Sequence, residues 1–115
     1  MFLNLKELGV LIASRSLSFA DRDDITILIG QPFIPPDYGG NFCCPYQIKG
    51  IGDEKIRYGS GIDSLQALYI ALINISTDLY PTEEARAGKV TWQGERDLGL
   101  PMADAIRDFL RDQTP

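Results

Sequence analysis

The chain has 115 residues, 44% of them hydrophobic and 23% charged, with no histidine and a formal charge of −5. That length fits one domain over 1–115, and the balance excludes an intrinsically disordered chain. The acidic surface disfavours nucleic acid as a partner, because it repels phosphates, and suits a basic one. No apolar run approaches the roughly 20 residues that span a bilayer. Lys6 and Glu7 interrupt the apolar start, so it does not read as a leader peptide. The expectation is a cytoplasmic protein with no membrane partner.

Leu11 to Ala20 alternates: Leu11, Ala13, Leu17 and Phe19 share one face with Arg15, and Ser14, Ser16 and Ser18 share the other. Period two predicts a half-buried strand. After the polar turn Asp21-Arg22-Asp23-Asp24, Ile25, Ile27 and Ile29 form the inner face of a second strand. A loop of about three residues would pair Phe19 with Ile25 and Leu17 with Ile27, and set Arg15 opposite Ile29. Gly30 to Asn41 is a long loop rich in turn formers that carries Phe33 and Tyr38; loops of this length are often functional.

Phe42 to Ile51 predicts a third strand with Cys44, Tyr46, Ile48 and Gly50 on one face, and Pro45 marks an edge or a bulge. A turn at Gly52-Asp53-Glu54 leads to a fourth strand, Lys55 to Tyr58. It sets Ile48 opposite Tyr58, Gly50 opposite Ile56 and Lys49 opposite Arg57. Gly59-Ser60-Gly61 then reads as a break. Asp63 caps a helix from Ser64 to Leu79, with Gln66 closing a capping box. Leu65, Leu68, Tyr69, Leu72, Ile75 and Leu79 form its apolar stripe, and Ile70 stands alone on the polar side. Thr82 caps a short turn, Lys89 to Trp92 reads as a fifth strand, and Met102, Ala105, Ile106, Phe109 and Leu110 mark a C-terminal helix within the extension 102–115. That helix is expected to cover an edge or bind a second copy. The fold class is α+β: an antiparallel sheet of four or five strands in hairpin order, with one long helix across a face.

Chemistry is sparse. Without histidine the commonest general base, the Ser-His-Asp and Cys-His systems and most zinc sites are missing. Cys43 and Cys44 lie mid-strand with no adjacent cation, so packing thiols are expected rather than redox-active ones. Gly59-Ser60-Gly61 before a helix is a candidate anion cradle, opposed by Asp63 as cap and by the lack of a Walker lysine. Asp21, Asp23 and Asp24 lack the glycine and distal glutamate of a calcium loop. No cofactor, metal or catalytic residue is assigned, and the expectation is a protein that is not an enzyme. Phe33, Tyr38, Phe42 and Trp92 are the candidate partner-binding residues, an aromatic patch around the long loop; the plainer reading is that they cover one end of the sheet.

Several motifs carry a resemblance: Cys44-Pro45-Tyr46-Gln47-Ile48, Gly50-Ile51-Gly52-Asp53-Glu54, Arg57-Tyr58, Gly61-Ile62-Asp63-Ser64-Leu65-Gln66-Ala67-Leu68, Leu79-Tyr80 and Leu98-Gly99-Leu100-Pro101. They resemble a family of small bacterial proteins classed only as a domain of unknown function, over residues 10–101. The resemblance implies a bacterial source and a single domain, and brings no activity, cofactor or site residues.

Two functional expectations follow from the residues. The first is a non-catalytic interaction protein, in its sharper form an immunity-type protein that neutralises a basic partner by electrostatic steering. The alternative is a small-ligand-binding domain with a pocket between sheet and helix lined by Tyr46, Tyr58 and Tyr69. An exposed Ile70 and an edge strand leave self-association into a homodimer open.

Overall fold

The computed structural model describes residues 5–112. Its elements are β1 (Leu11–Phe19), β2 (Arg22–Gly30), β3 (Phe42–Lys49), β4 (Arg57–Gly61), α1 (Ser64–Leu79), α2 (Glu83–Arg86), β5 (Val90–Thr91) and α3 (Asp104–Asp112). The strands form one antiparallel sheet in the order β4-β3-β2-β1-β5. The α+β class, the hairpin order, the long helix and the short C-terminal helix all match the expectation from sequence.

The turns are built differently from the pattern-based reading. Ala20 and Asp21 take φ of 50° and 70°, the geometry of a two-residue hairpin turn of type I′. Phe19 therefore faces Arg22 and Leu17 faces Ile25, instead of Phe19 facing Ile25 and Leu17 facing Ile27. A bulge between these two pairs adds a residue to β2 and keeps the apolar faces together. Arg15 consequently lies opposite Ile27 in mid-strand, not opposite Ile29.

The β3–β4 register also differs: Tyr46 faces Arg57, Pro45 faces Tyr58 and Cys44 faces Gly59. The connection is longer than a tight hairpin because it has its own interior. Ile51 is buried, Gln47 Nε2 donates to the Glu54 carbonyl at 2.8 Å, and the Gly50 N–H donates to the Glu54 carboxylate at 3.0 Å. Gly50 takes φ 95° against the Asp24 carbonyl, where a side chain would collide with backbone. β3 is an inner strand, so Pro45 marks no edge. Pairing with β2 covers Tyr46 to Lys49, Phe33 beyond the end of β2 bridges to Cys43, and Pro45, which has no N–H, sits in the gap between.

Gly59-Ser60-Gly61 is not a break but the body of β4. A Cβ on Gly59 would run into the Ala71 nitrogen and the Ala67 carbonyl, and one on Gly61 into the Ala67 nitrogen. These two glycines let α1 settle with its backbone almost on the strand. The residues it buries are accordingly small or far along its length: Ala67, Ala71, Ile75, Ser76 and Leu79. Leu68 and Leu72 are half-buried against the core, whereas Leu65 and Tyr69, expected inside, are 73% and 54% exposed. Ile70 is half-buried rather than exposed. The cap is the expected one: Asp63 Oδ1 accepts from the Gln66 N–H at 2.8 Å, and Gln66 Oε1 accepts from the Ile62 N–H at 2.7 Å.

α1 lies over β3 and β4. The strap from Trp92 to Met102 closes over β1 and β2. Ser76 Oγ donates to the Pro101 carbonyl at 2.7 Å, the Leu98 N–H donates to the Tyr80 hydroxyl at 2.8 Å, and Arg15 Nη1 donates to the Leu98 and Gly99 carbonyls at 2.9 and 3.1 Å. The Arg15 guanidinium also lies 3.8 Å from the Trp92 ring centre, so the arginine on the apolar face is a bracket for the strap rather than a side chain snorkelling to water. In α3, Ile106 and Leu110 pack on the core and Phe109 lies under the Arg86 guanidinium.

Candidate functional site

The registers place the start of β1, the end of β2, the start of β3, the end of β4 and the start of α1 at one end of the molecule. All the large apolar side chains exposed among the described residues gather there: Val10, Leu11, Ile12, Phe33, Ile34, Ile62, Leu65 and Tyr69. Val10 and Phe33 line one hollow, and Leu65 lines a neighbouring one; Gln31 and Pro32 belong to both. The Gln31 N–H donates to the Val10 carbonyl at 2.7 Å, which ties the β1 start to the long loop. Gln31 and Pro32 share a groove of about 470 Å³ with Phe42, Leu65 and Leu68 of the helix side. Charge is scarce at this end, with Lys6, Glu7, Asp37 and Asp63, while the carboxylates of both hairpin turns and of α2 lie at the other. Exposed apolar side chains in such numbers are uncommon away from contact surfaces.

The four candidate aromatics do not form one patch. Phe33 is exposed beside the N-terminal segment, and Phe42 is half-buried on the helix side against the core. Tyr38 leans edge-on against Tyr58, centroids 6.2 Å apart, and shares a 2.7 Å hydrogen bond with the Ser60 hydroxyl. Trp92 follows β5 at the opposite edge of the sheet, under Arg15. Phe33 alone of the four belongs to the exposed apolar cluster; the other members carried no separate signal in the sequence, since Leu65 and Tyr69 fit the inward stripe. The informative sign was the pairing of Gly59 and Gly61 with Ala67 and Ala71.

A second concavity, about 1230 Å³, runs along the outer side of β4. Its lining includes Tyr38, Tyr58 and Ser60, Ile70 and Asn74 of α1, and the charged Glu54, Lys55 and Arg57. Of the three tyrosines expected to line a pocket between sheet and helix, only Tyr58 belongs to it. Tyr46 is buried and its hydroxyl donates to Asp78 Oδ2 at 2.6 Å, and Tyr69 is exposed. A smaller cavity, about 180 Å³, does lie between Ile27 and Ile29 of the sheet, Leu72 of α1 and the strap at Gly99–Pro101, and none of the three tyrosines lines it.

Both thiols are buried. Burial pushes Cys43 and Cys44 up to about 11, with the neighbouring Cys44 adding to the shift of Cys43. Neutral thiols are poor nucleophiles, so neither is activated. Among the described residues no group of three or more His, Cys, Asp or Glu is placed to hold a metal ion. The Gly59-Ser60-Gly61 cradle is occupied by its own strand pairing and by the capping box. No helix among the described residues is long and apolar enough to cross a membrane.

No curated protein and no solved structure matches the chain. A family does: the Domain of unknown function (DUF6968) matches residues 13–102. That span holds β2 to β5, the α1 seam and the strap, with all but the first two residues of β1. The chain belongs to this family.

Proposed function

We propose that this is a protein-interaction domain that docks its partner on the apolar end of the sheet. The observation that carries the reading is the gathering of every exposed large apolar side chain among the described residues at that end. Covering Val10, Ile62 and Leu65, each more than half exposed, is worth on the order of 1–2 kcal/mol apiece. With little charge at that end, shape and apolar area select the partner. A basic partner, suggested by the net charge, would instead engage the carboxylates of the turn end. The test is capture from host lysate with native protein, an Ile62→Glu, Leu65→Glu variant and an Asp23→Lys control at the other end. A stoichiometric partner lost only in the first variant supports the reading; a partner retained by that variant and lost with Asp23→Lys refutes it.

A second reading, a small-ligand site, draws on the cleft beside β4, whose lining combines Tyr38 and Tyr58 with two cations, Lys55 and Arg57, and one carboxylate, Glu54. An aromatic ring bearing an anionic group fits that lining. A thermal-shift screen of aromatic carboxylates checks it: a stabilising hit abolished by Tyr38→Ala favours the site, and no shift across the series dismisses it.

A further inference from the structure

β1 has a neighbour on both sides only at its end. β5 pairs with Ser18 and Phe19 alone, so the stretch before them has β2 on one side and no strand on the other. The direction of the main chain there is fixed by alternation. The Ala20 N–H donates to the Lys89 carbonyl on the β5 side, so Ser18, Ser16 and Ser14 also turn their N–H and C=O groups outward. No hydrogen bond from the described residues reaches the main chain of Ser14 or Ser16 on that side. Ile12, Ala13, Ser14 and Ser16 are exposed.

Edge strands are usually guarded by lysine, proline or an overlying side chain. The edge of β4 is guarded in this way: Asn74 Nδ2 donates to the Tyr58 carbonyl, and Lys55 and Arg57 line the cleft beside it. The β1 edge carries a bulge between Leu11 and Ala13, and the strap at Gly99–Pro101 lies beside Ala13 and Ser14, but among the described residues no lysine, proline or side-chain donor covers the main chain of Ser14 and Ser16. Gly9 to Ser14 carries no charge, and Arg15 is engaged with the Leu98 and Gly99 carbonyls and Trp92.

We propose that the open edge of β1 beyond its bulge, Ala13 to Ser16, pairs antiparallel with the same edge of a second copy, joining two five-stranded sheets across a twofold axis. This rests on the docking reading and names one partner, the chain itself. Charge and register favour a copy of the same strand. No carboxylate lies in β1, so two acidic molecules repel each other least along this line. A register centred on Ser14 joins two outward-facing main chains and sets Arg15 of one copy opposite Ala13 of the other, whereas a register centred on Arg15 would oppose two guanidinium groups. Val10 and Leu11 flank the seam, so the pairing also covers part of the apolar end.

The experiment is sedimentation equilibrium of the full chain from low to high micromolar concentration, alone and as Ser14→Pro, Ile12→Lys and Ile62→Glu, Leu65→Glu variants, with circular dichroism to verify folding. The Ser14 N–H points away from β2, so proline there removes an edge donor without removing a rung of the β1–β2 ladder. The native chain is expected to reach twice the monomer mass, and Ser14→Pro and Ile12→Lys to weaken association at least tenfold. A native chain that stays monomeric throughout overturns the proposal, as does a dimer that both edge variants keep. A dimer broken only by Ile62→Glu, Leu65→Glu refutes edge pairing and leaves the docking reading standing. A dimer broken only by the edge variants, with the lysate partner indifferent to Ile62→Glu, Leu65→Glu, does the reverse.

Discussion

Replacing Gly59 by alanine tests the seam that turns Leu65 and Tyr69 outward. On backbone grounds alone the substitution favours folding, because alanine loses less chain entropy than glycine, by about 0.5–1 kcal/mol. The packing predicts the opposite sign. The new methyl carbon would lie 2.8 Å from the Ala67 carbonyl oxygen and the Ala71 Cα, and closer still to the Ala71 nitrogen. These are backbone atoms of a continuous helix and cannot rotate aside, so α1 must lift from β4. Overpacking of this kind costs about 1–3 kcal/mol in ordinary cores, and a backbone obstacle belongs at the upper end, about 3 kcal/mol. For a domain of this size that lowers Tm by roughly 12 °C. Urea denaturation of Gly59→Ala should show the midpoint falling with an unchanged slope. A variant as stable as the native chain, or more so, would refute the seam and with it the reason for the exposed stripe.

Three further outcomes follow from other contacts. Arg15→Ala should cost about 2–3 kcal/mol by removing two carbonyl hydrogen bonds and the stacking on Trp92. It should also change the emission of Trp92, the only tryptophan, and Arg15→Lys should recover only part of the loss. Tyr46→Phe should cost about 1–2 kcal/mol by unpairing the Asp78 carboxylate from a buried hydroxyl, read by denaturation at neutral pH. The thiols fix the sign of an alkaline effect. Cys43 and Cys44 are held up to about 11 in the fold, above the roughly 8.5 of an unfolded thiol. Their contribution is therefore complete below about pH 8.5 and is lost as pH rises towards 11, because the unfolded chain releases those protons first. Stability measured across that range should decline, and a Cys43→Ala, Cys44→Ala variant should decline less.

What the sequence made legible was periodic or terminal. Alternation in Leu11–Phe19 and Ile25–Ile29 located two strands, and Asp63 with Gln66 located the start of α1 and its capping contacts. What it hid depended on distance between elements. The helix carries two apolar stripes side by side, one of alanines and one of larger residues, and a pattern of hydrophobicity favours the larger. Only the missing side chains of Gly59 and Gly61 decide that the alanines go in. The turns were obscured for a related reason: a two-residue turn plus a bulge satisfies the same parity as a three-residue loop, so alternation alone does not separate them. The Gly50–Ile56 connection reads as short until Glu54 is seen folded back on Gly50 and Gln47. The candidate surface inherited these errors, since Leu65 and Tyr69 were placed in the core and Trp92 beside a loop that lies across the sheet from it.

The central claim is that the apolar end is a contact surface, and amide hydrogen exchange of the full chain tests it most directly. Exchange would be followed at low and high micromolar concentration, and again with the captured partner bound. The prediction is slowed exchange in the segments 10–12, 31–34 and 62–69, with the hairpin turns at 20–24 and 50–56 unchanged. Protection confined to those turns, or no protection in any segment under either condition, would contradict it.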